Sequence, residues 1–354
     1  MTGLADLLAA RAGADPDARA FHVDGEGDLS YRSWDRRSNA LARGLCELGV
    51  GAGDRVVLRF EVRHWTDYAV ACAGVLKVGA VAVPVSADVT GVDGPTRGLL
   101  GLGLAGVVDH SGAAIVVARG SLSSVAEAVG AAPIATVHDL GDGQDDAALT
   151  NTAPAAGVVE ISYRPGHLRP PRAVAHTEAE ILRVLDAAGP GPMLHTFAIG
   201  GDPARSALWA PLGSSGVTGG DRAGVVVLAG LDPERFCELS AEQSVTRWCL
   251  VPATAALVLE SGAPGRHDLS SVRRIDLVGL VGQRHPASIV ARLAAVFPDA
   301  DVVTVATTDE PPPRVDVGQE SPVAFSQEGM LWQEQFVPGS QNLPPLVRRF
   351  RGPL

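Results

Sequence analysis

The chain has 354 residues, is 46% hydrophobic and 19% charged, and carries a formal net charge of -11. That length allows two or three packed domains or subdomains, and the acidic balance excludes the basic footprint of a nucleic-acid-binding protein. No apolar run reaches the roughly 18 uncharged residues of a membrane span, and the acid-bearing N-terminus reads as an amphipathic helix rather than a signal peptide.

In chain order, Leu4, Leu7 and Leu8 recur at helical spacing and open a helix. Residues 19–23 read as a strand, Gly25-Glu26-Gly27 as a turn, and 29–35 as a returning strand that enters a helix. That helix runs over roughly 34–48, with Leu41, Leu45 and Leu48 on one face and a stop at Gly49. Further strands are expected at 53–58, 80–85, 114–117, 193–197, 225–228 and 245–252, with helices at 65–78, 178–188 and 205–212. Asp232 before Pro233 supplies the N-cap and first-position proline of another helix. The alternation argues layered α/β architecture with parallel strands. The Gly/Asp/Ala/Thr-rich stretch 141–156 reads as a linker and the Gly/Ser-rich stretch 213–224 as a loop.

Few motifs carry chemistry. Gly101, Gly103 and Gly106 spell GxGxxG, but no convincing strand precedes them and no acid follows about 20 residues on, so a dinucleotide turn is not indicated. Zinc spacing, HExxH, the Walker A loop and GxSxG do not occur. Cys46, Cys72, Cys237 and Cys249 form no CxxC pair, which fits structural thiols in a reducing cytosol. Lys77 is the only lysine.

Three segments, LSYRSWD, GVGAGDRVVL and GVLKVGAVAVPVS, resemble motifs of the adenylate-forming superfamily (acyl-CoA synthetases and nonribosomal peptide synthetase adenylation domains) in order and spacing. The segment around Leu231 to Ser261 continues the resemblance, which extends over roughly 1–310. It implies an α/β fold of layered parallel sheets with helices, like the large N-terminal part of those enzymes. The barrel subdomain, with its ribose-binding Asp, and the small C-terminal domain, with its catalytic Lys, have no counterpart. The implied units are α/β subdomains at 1–150 and 151–310, a proline-rich linker at 311–320, and a segment at 321–354 that resembles the opening of a condensation domain.

The resemblance places the family's phosphate loop between Val158 and Thr177, read as a strand, a tight loop, and a second strand or helix start. Tyr163, Gly166 and Pro171 keep the family's residue types. Arg164, Pro165, His167 and Leu168 stand where hydroxyls belong, Arg169 and Ala173 where glycines belong, and Arg172 where the lysine belongs. A phosphate cradle needs inward-pointing backbone N–H groups, and Pro165 has none to give. Only attraction by charge remains for the arginines. The family's adenine turn corresponds to 280–284, where Gly282 is kept beside the bulky Leu280 and Val281. In the aromatic motif Glu310 keeps the acid that helps hold Mg²⁺, Ala306 replaces the aromatic, and Asp309 replaces a phosphate-facing Thr. His176 fits the family's structural His after the loop.

The expectation is therefore a non-catalytic adenylation-like domain of a nonribosomal peptide synthetase. It would have no catalytic residues, no metal and no cofactor, with a condensation domain and a carrier protein as partners in the cytoplasm. One alternative is an acid:AMP ligase completed by a partner chain, in which Arg164, Arg169, Arg172 and Glu310 would hold ATP and Mg²⁺. Another is a ligand-binding module whose pocket, lined by Leu280 and Val281, takes apolar molecules. Loss of the barrel should also uncover an apolar face after Asp301, to be covered by 311–354 or by a partner.

Overall fold

A computed structural model of the chain describes residues 3–87, 103–119, 122–130, 132–149, 157–164, 172–185, 191–213, 224–279 and 287–305. Two sheets organise it. The first, in the order β6-β5-β3-β4-β7-β8, comprises β3 (Arg55–Phe60), β4 (Val81–Ser86), β5 (Ile115–Ala118), β6 (Ile134–Ala135), β7 (Val158–Arg164) and β8 (Arg172–Thr177). The second, in the order β13-β12-β11-β9-β10-β1-β2, comprises β1 (Arg19–Val23), β2 (Gly27–Ser30), β9 (Met193–His195), β10 (Val225–Val227), β11 (Arg247–Leu250), β12 (Arg274–Val278) and β13 (Asp301–Val305). Every pairing is parallel except the hairpins β1–β2 and β7–β8. Each sheet thus draws strands from both sides of residue 150.

Helices α2 (Tyr31–Glu47) and α3 (Trp65–Lys77) lie between the sheets, inside one core that includes Val56, Leu58 and Phe60 of β3 and Val225 and Val227 of β10. The outer face of the first sheet packs on α4 (Leu104–Ser111) and α5 (Leu122–Val129), and that of the second on α9 (Pro233–Glu242), α10 (Pro252–Glu260) and α11 (Ala287–Val296). The result is a layered α-β-α-β-α stack. Trp34 ties its middle together. It is fully buried, its Nε1 donates to the Ala69 carbonyl at 2.9 Å, and its ring meets Phe21 edge-on at 5.1 Å and stacks on Trp209 at 6.0 Å.

Several boundaries differ from the sequence reading. The long helix begins at Tyr31 rather than 34, because Ser30 Oγ accepts the Ser33 N–H and caps the helix there. The expected helix at 205–212 instead starts at Asp202 as α8 (Asp202–Trp209) and tightens into a 3-10 turn at Ala210–Leu212. Gly103 is the N-cap of α4, so only Gly106 of the GxGxxG lies inside a helix; Gly101 is outside the described residues. The strand expected at 245–252 is confined to Arg247–Leu250, since Pro252 opens α10.

Lys77 ends α3 and reaches back to α2. Its Nζ donates to Asp35 Oδ1 at 2.7 Å, Ser38 Oγ at 2.8 Å and Asn39 Oδ1 at 2.7 Å. Burial draws its pKa down, with Asp35 opposing. The lysine is a clamp between helices.

Gly44 is fixed by contact. A Cβ there would lie 2.0 Å from the carbonyl oxygen of Leu140 in α6 (Val137–Gly141). Helix propensity alone would favour alanine by about 1 kcal/mol. A clash with backbone cannot be relieved by a rotamer change, and overpacking costs about 1–3 kcal/mol. Gly44→Ala is expected to lower the midpoint of urea unfolding. A raised midpoint would mean that α6 yields freely.

Beyond β12 the sheet thins. β13 is its last described strand, and its residues are half-buried or exposed, with Val305 37% exposed. The segment expected to cover this region, 311–354, lies outside the described residues.

Candidate functional site

Parallel α/β sheets bind ligands beyond the C-terminal ends of their strands. At that edge β7 ends at Arg164, β12 at Val278 and β13 at Val305. Each is followed by a segment that the sequence singled out. Gly166, Arg169, Gly282 and Glu310 lie outside the described residues, as do Leu280, Val281, Ala306 and the segment 311–354. The backbones of Arg164 and Arg172 are described, and they are paired across the β7–β8 hairpin, Cα opposite Cα. The intervening connection, 165–171, contains three prolines and neither a hydroxyl nor a lysine. The open choice between strand and helix after the loop is thereby resolved as strand.

The hairpin is anchored by a buried polar network that sequence reasoning missed. Glu160 on β7, 3% exposed, accepts from Arg205 Nη1 at 3.0 Å, and Arg205 Nη2 donates to Asp202 Oδ1 at 2.6 Å. Burial pushes the Glu160 carboxyl up in pKa, with Arg205 opposing. Burial works against the Arg205 charge, but the carboxylates of Glu160 and Asp202 outweigh it and hold its pKa above the usual value. Asp202 and Arg205 both lie on α8 while Glu160 lies on β7, so the network pins the first sheet to the helix that joins β9 to β10 of the second. The only hint in the sequence was an acid inside the apolar run Val158-Val159-Glu160-Ile161.

Ser162, His176 and Asp202 look like a hydrolase triad by residue type, but their geometry rules that out. Ser162 Oγ lies 2.8 Å from His176 Nε2, and the same Nε2 is the atom facing Asp202, at 4.0 Å. A triad needs the acid on the other ring nitrogen. Ser162 is also 1% exposed. His176 therefore braces the hairpin, as the sequence indicated. Tyr163 does so from the other side, its hydroxyl 2.8 Å from His110 Nδ1 on α4.

Activated thiols are equally lacking among the described residues whose ionisation is perturbed. Burial pushes Cys237 and Cys249 up to about 12, and burial together with Glu160 raises Cys72 well above the ordinary thiol range. A raised pKa keeps the thiol protonated and inert. Among the described residues no group of three or more His, Cys, Asp or Glu side chains could hold a metal ion.

His195, the last residue of β9, is fully buried. Its Nδ1 accepts the Phe197 N–H at 3.1 Å, which puts the proton of the neutral ring on Nε2. That N–H has no partner among the described residues, and the ring meets Trp65 edge-on at 4.7 Å. Burial lowers the His195 pKa to about 3.

This architecture is that of the large N-terminal part of adenylate-forming enzymes. The chain matches the nonribosomal peptide synthetase FmoA3 in its AMPPNP-bound form with TM-score 0.71 and 21% identity, over 91% of this chain and 34% of that one. It matches the N-terminal domain of FACL13 from Mycobacterium tuberculosis with TM-score 0.70 and 18% identity, over 87% and 76%. At these identities the likeness is one of fold.

Residues 8–183 match the family described as AMP-binding enzyme. The isonitrile lipopeptide synthase of Mycobacterium tuberculosis is 28% identical over 81% of this chain and 10% of that protein. Pseudomonine synthase PmsE of Pseudomonas entomophila is 25% identical over 99% of this chain and 60% of that protein. The nonribosomal peptide synthetase ungA' of Aspergillus campestris is 38% identical over 27% of this chain and 1% of that protein. The chain is thus similar in sequence to AMP-binding enzymes over residues 8–183, and its fold is that of the N-terminal part of adenylate-forming enzymes. It spans less than two thirds of the length of each of these three relatives. Among its described residues no helix is long and apolar enough to cross a membrane.

Proposed function

We propose that the chain is a non-catalytic adenylation-like domain of a nonribosomal peptide synthetase, serving as a rigid platform for neighbouring synthetase domains. The observation that carries this reading is the hairpin mouth, where Arg164 opposes Arg172 across a connection with three prolines and no hydroxyl. Adenylation depends on a preorganised clamp around the α-phosphate and the departing pyrophosphate. Proline supplies no N–H to such a clamp. Nor does the chain hold a lysine to spare, since Lys77 is committed to Asp35, Ser38 and Asn39. The residues present thus fit ATP and Mg²⁺ poorly, and no step is routed through them.

The platform role rests on the packing. Three cores share one stack, and buried polar clamps at Glu160–Arg205 and Lys77–Asp35 lock the elements against one another. The relatives' names supply the synthetase setting. The condensation-like segment at 321–354 makes a condensation domain the first partner, with a carrier protein next. A thermal-unfolding series with millimolar Mg-ATP tests the loss of nucleotide binding. A ligand at 100 times its Kd adds about 2.7 kcal/mol of stability, so binding would raise the midpoint plainly. No shift is expected, and a saturable rise would contradict the reading.

A further inference from the structure

The connections leading into β12 and β13 enclose a solvent-open cavity of about 260 Å³. It lies at the N-terminal ends of these strands, away from their C-terminal ends at Val278 and Val305. Its buried apolar lining is Leu269, Val272 and Phe297. Phe297 packs edge-on against Trp248 at 4.8 Å, so the second core holds this floor in place. Val296, 48% exposed, adds an apolar flank that the chain leaves uncovered.

Two opposite charges stand among the lining residues without meeting. Arg273 is exposed, and its Nη1 donates to the carbonyls of Ser270 and Val272, the latter at 3.2 Å. It has no carboxylate partner among the described residues, and neither does exposed Asp299 have a cationic one. The carbonyl tethers fix the guanidinium by one nitrogen and leave its other donors open. A fixed planar fork loses little entropy on taking a carboxylate. The volume falls just below the roughly 300–1,000 Å³ of drug-sized ligand pockets, which limits the occupant to a small molecule.

The geometry points to a second binding site here for a small amphipathic zwitterion, an α-amino acid with an aliphatic side chain. Its carboxylate pairs with Arg273, its ammonium faces Asp299, and its side chain rests on Leu269, Val272 and Phe297. The site shares no lining residue with the β7–β8 hairpin and owes nothing to nucleotide, so it stands or falls independently of the function proposed above. It gives a platform domain a means of responding to free amino acid.

Saturation-transfer NMR on the full chain tests it, with L-leucine as probe beside 4-methylpentanoate, which lacks the ammonium, and isoamylamine, which lacks the carboxylate. L-leucine is expected to bind saturably. Arg273→Gln and Asp299→Asn, both at exposed positions, are each expected to weaken it by about tenfold or more without moving the unfolding midpoint. Loss of either ligand charge should do the same. No saturable L-leucine signal, undiminished binding by Arg273→Gln, or equal binding of 4-methylpentanoate would each overturn the proposal. Undiminished binding in that variant would place the amino acid elsewhere on the protein.

Discussion

Between pH 7 and pH 4 the protein is expected to lose about 3 kcal/mol of stability through one residue, His195. Burial lowers its pKa in the fold from 6.5 to about 3. The unfolded chain therefore takes up a proton on this ring well before the native protein does. The sign follows from linkage. A depressed histidine contributes its stability above pH 6.5, and that contribution is lost progressively as pH falls towards 3. Replacement by phenylalanine keeps a ring between Trp65 and Phe197 and removes the titration. At pH 7 the variant gives up the acceptor for the Phe197 N–H, which costs about 1–3 kcal/mol, but it also removes the unpartnered Nε2–H. These terms oppose each other, so a small net change is expected at neutrality. Urea unfolding at pH 7, 5.5 and 4 should show a flatter acid limb in His195→Phe than in the parent. Parallel limbs would mean that the ring is protonated in the fold.

The second large effect belongs to Arg205. Its removal leaves Glu160 buried without its cation, and breaking a buried pair from one side costs about 3–5 kcal/mol. Arg205→Ala is expected to lose that much at neutral pH, while the double replacement Arg205→Met with Glu160→Leu should recover most of it. The pH dependence has the opposite sign to that of His195. The Glu160 pKa is already raised by burial against the opposition of Arg205, and without the arginine it moves further up. A group whose folded pKa is raised contributes stability at low pH and loses it as pH climbs through the folded value. The deficit of Arg205→Ala should therefore be smaller at pH 5 than at pH 8. A deficit that does not change with pH would mean that water reaches Glu160 and keeps it ionised in the variant.

The sequence made the element types legible wherever periodicity was strong. The apolar runs of β3, β4 and β10 and the helical stripes of α2 and α3 appear where Val56-Val57-Leu58, Val81 to Val85, Val225 to Val227, Leu41 and Leu45 indicated. Chain entry into α2 was misread because Tyr31 and Trp34 suit a strand as well as a helix, and the Ser30 cap decided between them. Which strand joins which sheet was not legible. β1 pairs with β10, some 200 residues away, and local pattern carries no record of such a partner.

The candidate site divides in the same way. The altered loop could be read directly from Pro165, Arg169 and Arg172, because it departs from a resemblance residue by residue. The Glu160–Arg205 clamp could not, since its members lie 45 residues apart on different elements and an isolated acid in a strand does not name its cation. His195 gave no signal as one of nine scattered histidines. Its orphaned N–H emerges only when Trp65 and Phe197 close around it.

ATP–pyrophosphate exchange over a panel of amino, aryl and fatty acids tests the central claim most directly. Exchange requires both nucleotide binding and reversible acyl-adenylate formation, the step that the proposed function denies to this chain. The account predicts no exchange above the enzyme-free background with any acid. Acid-dependent exchange that disappears in Glu310→Gln would contradict it, and would assign the arginine-rich loop a working role in adenylation.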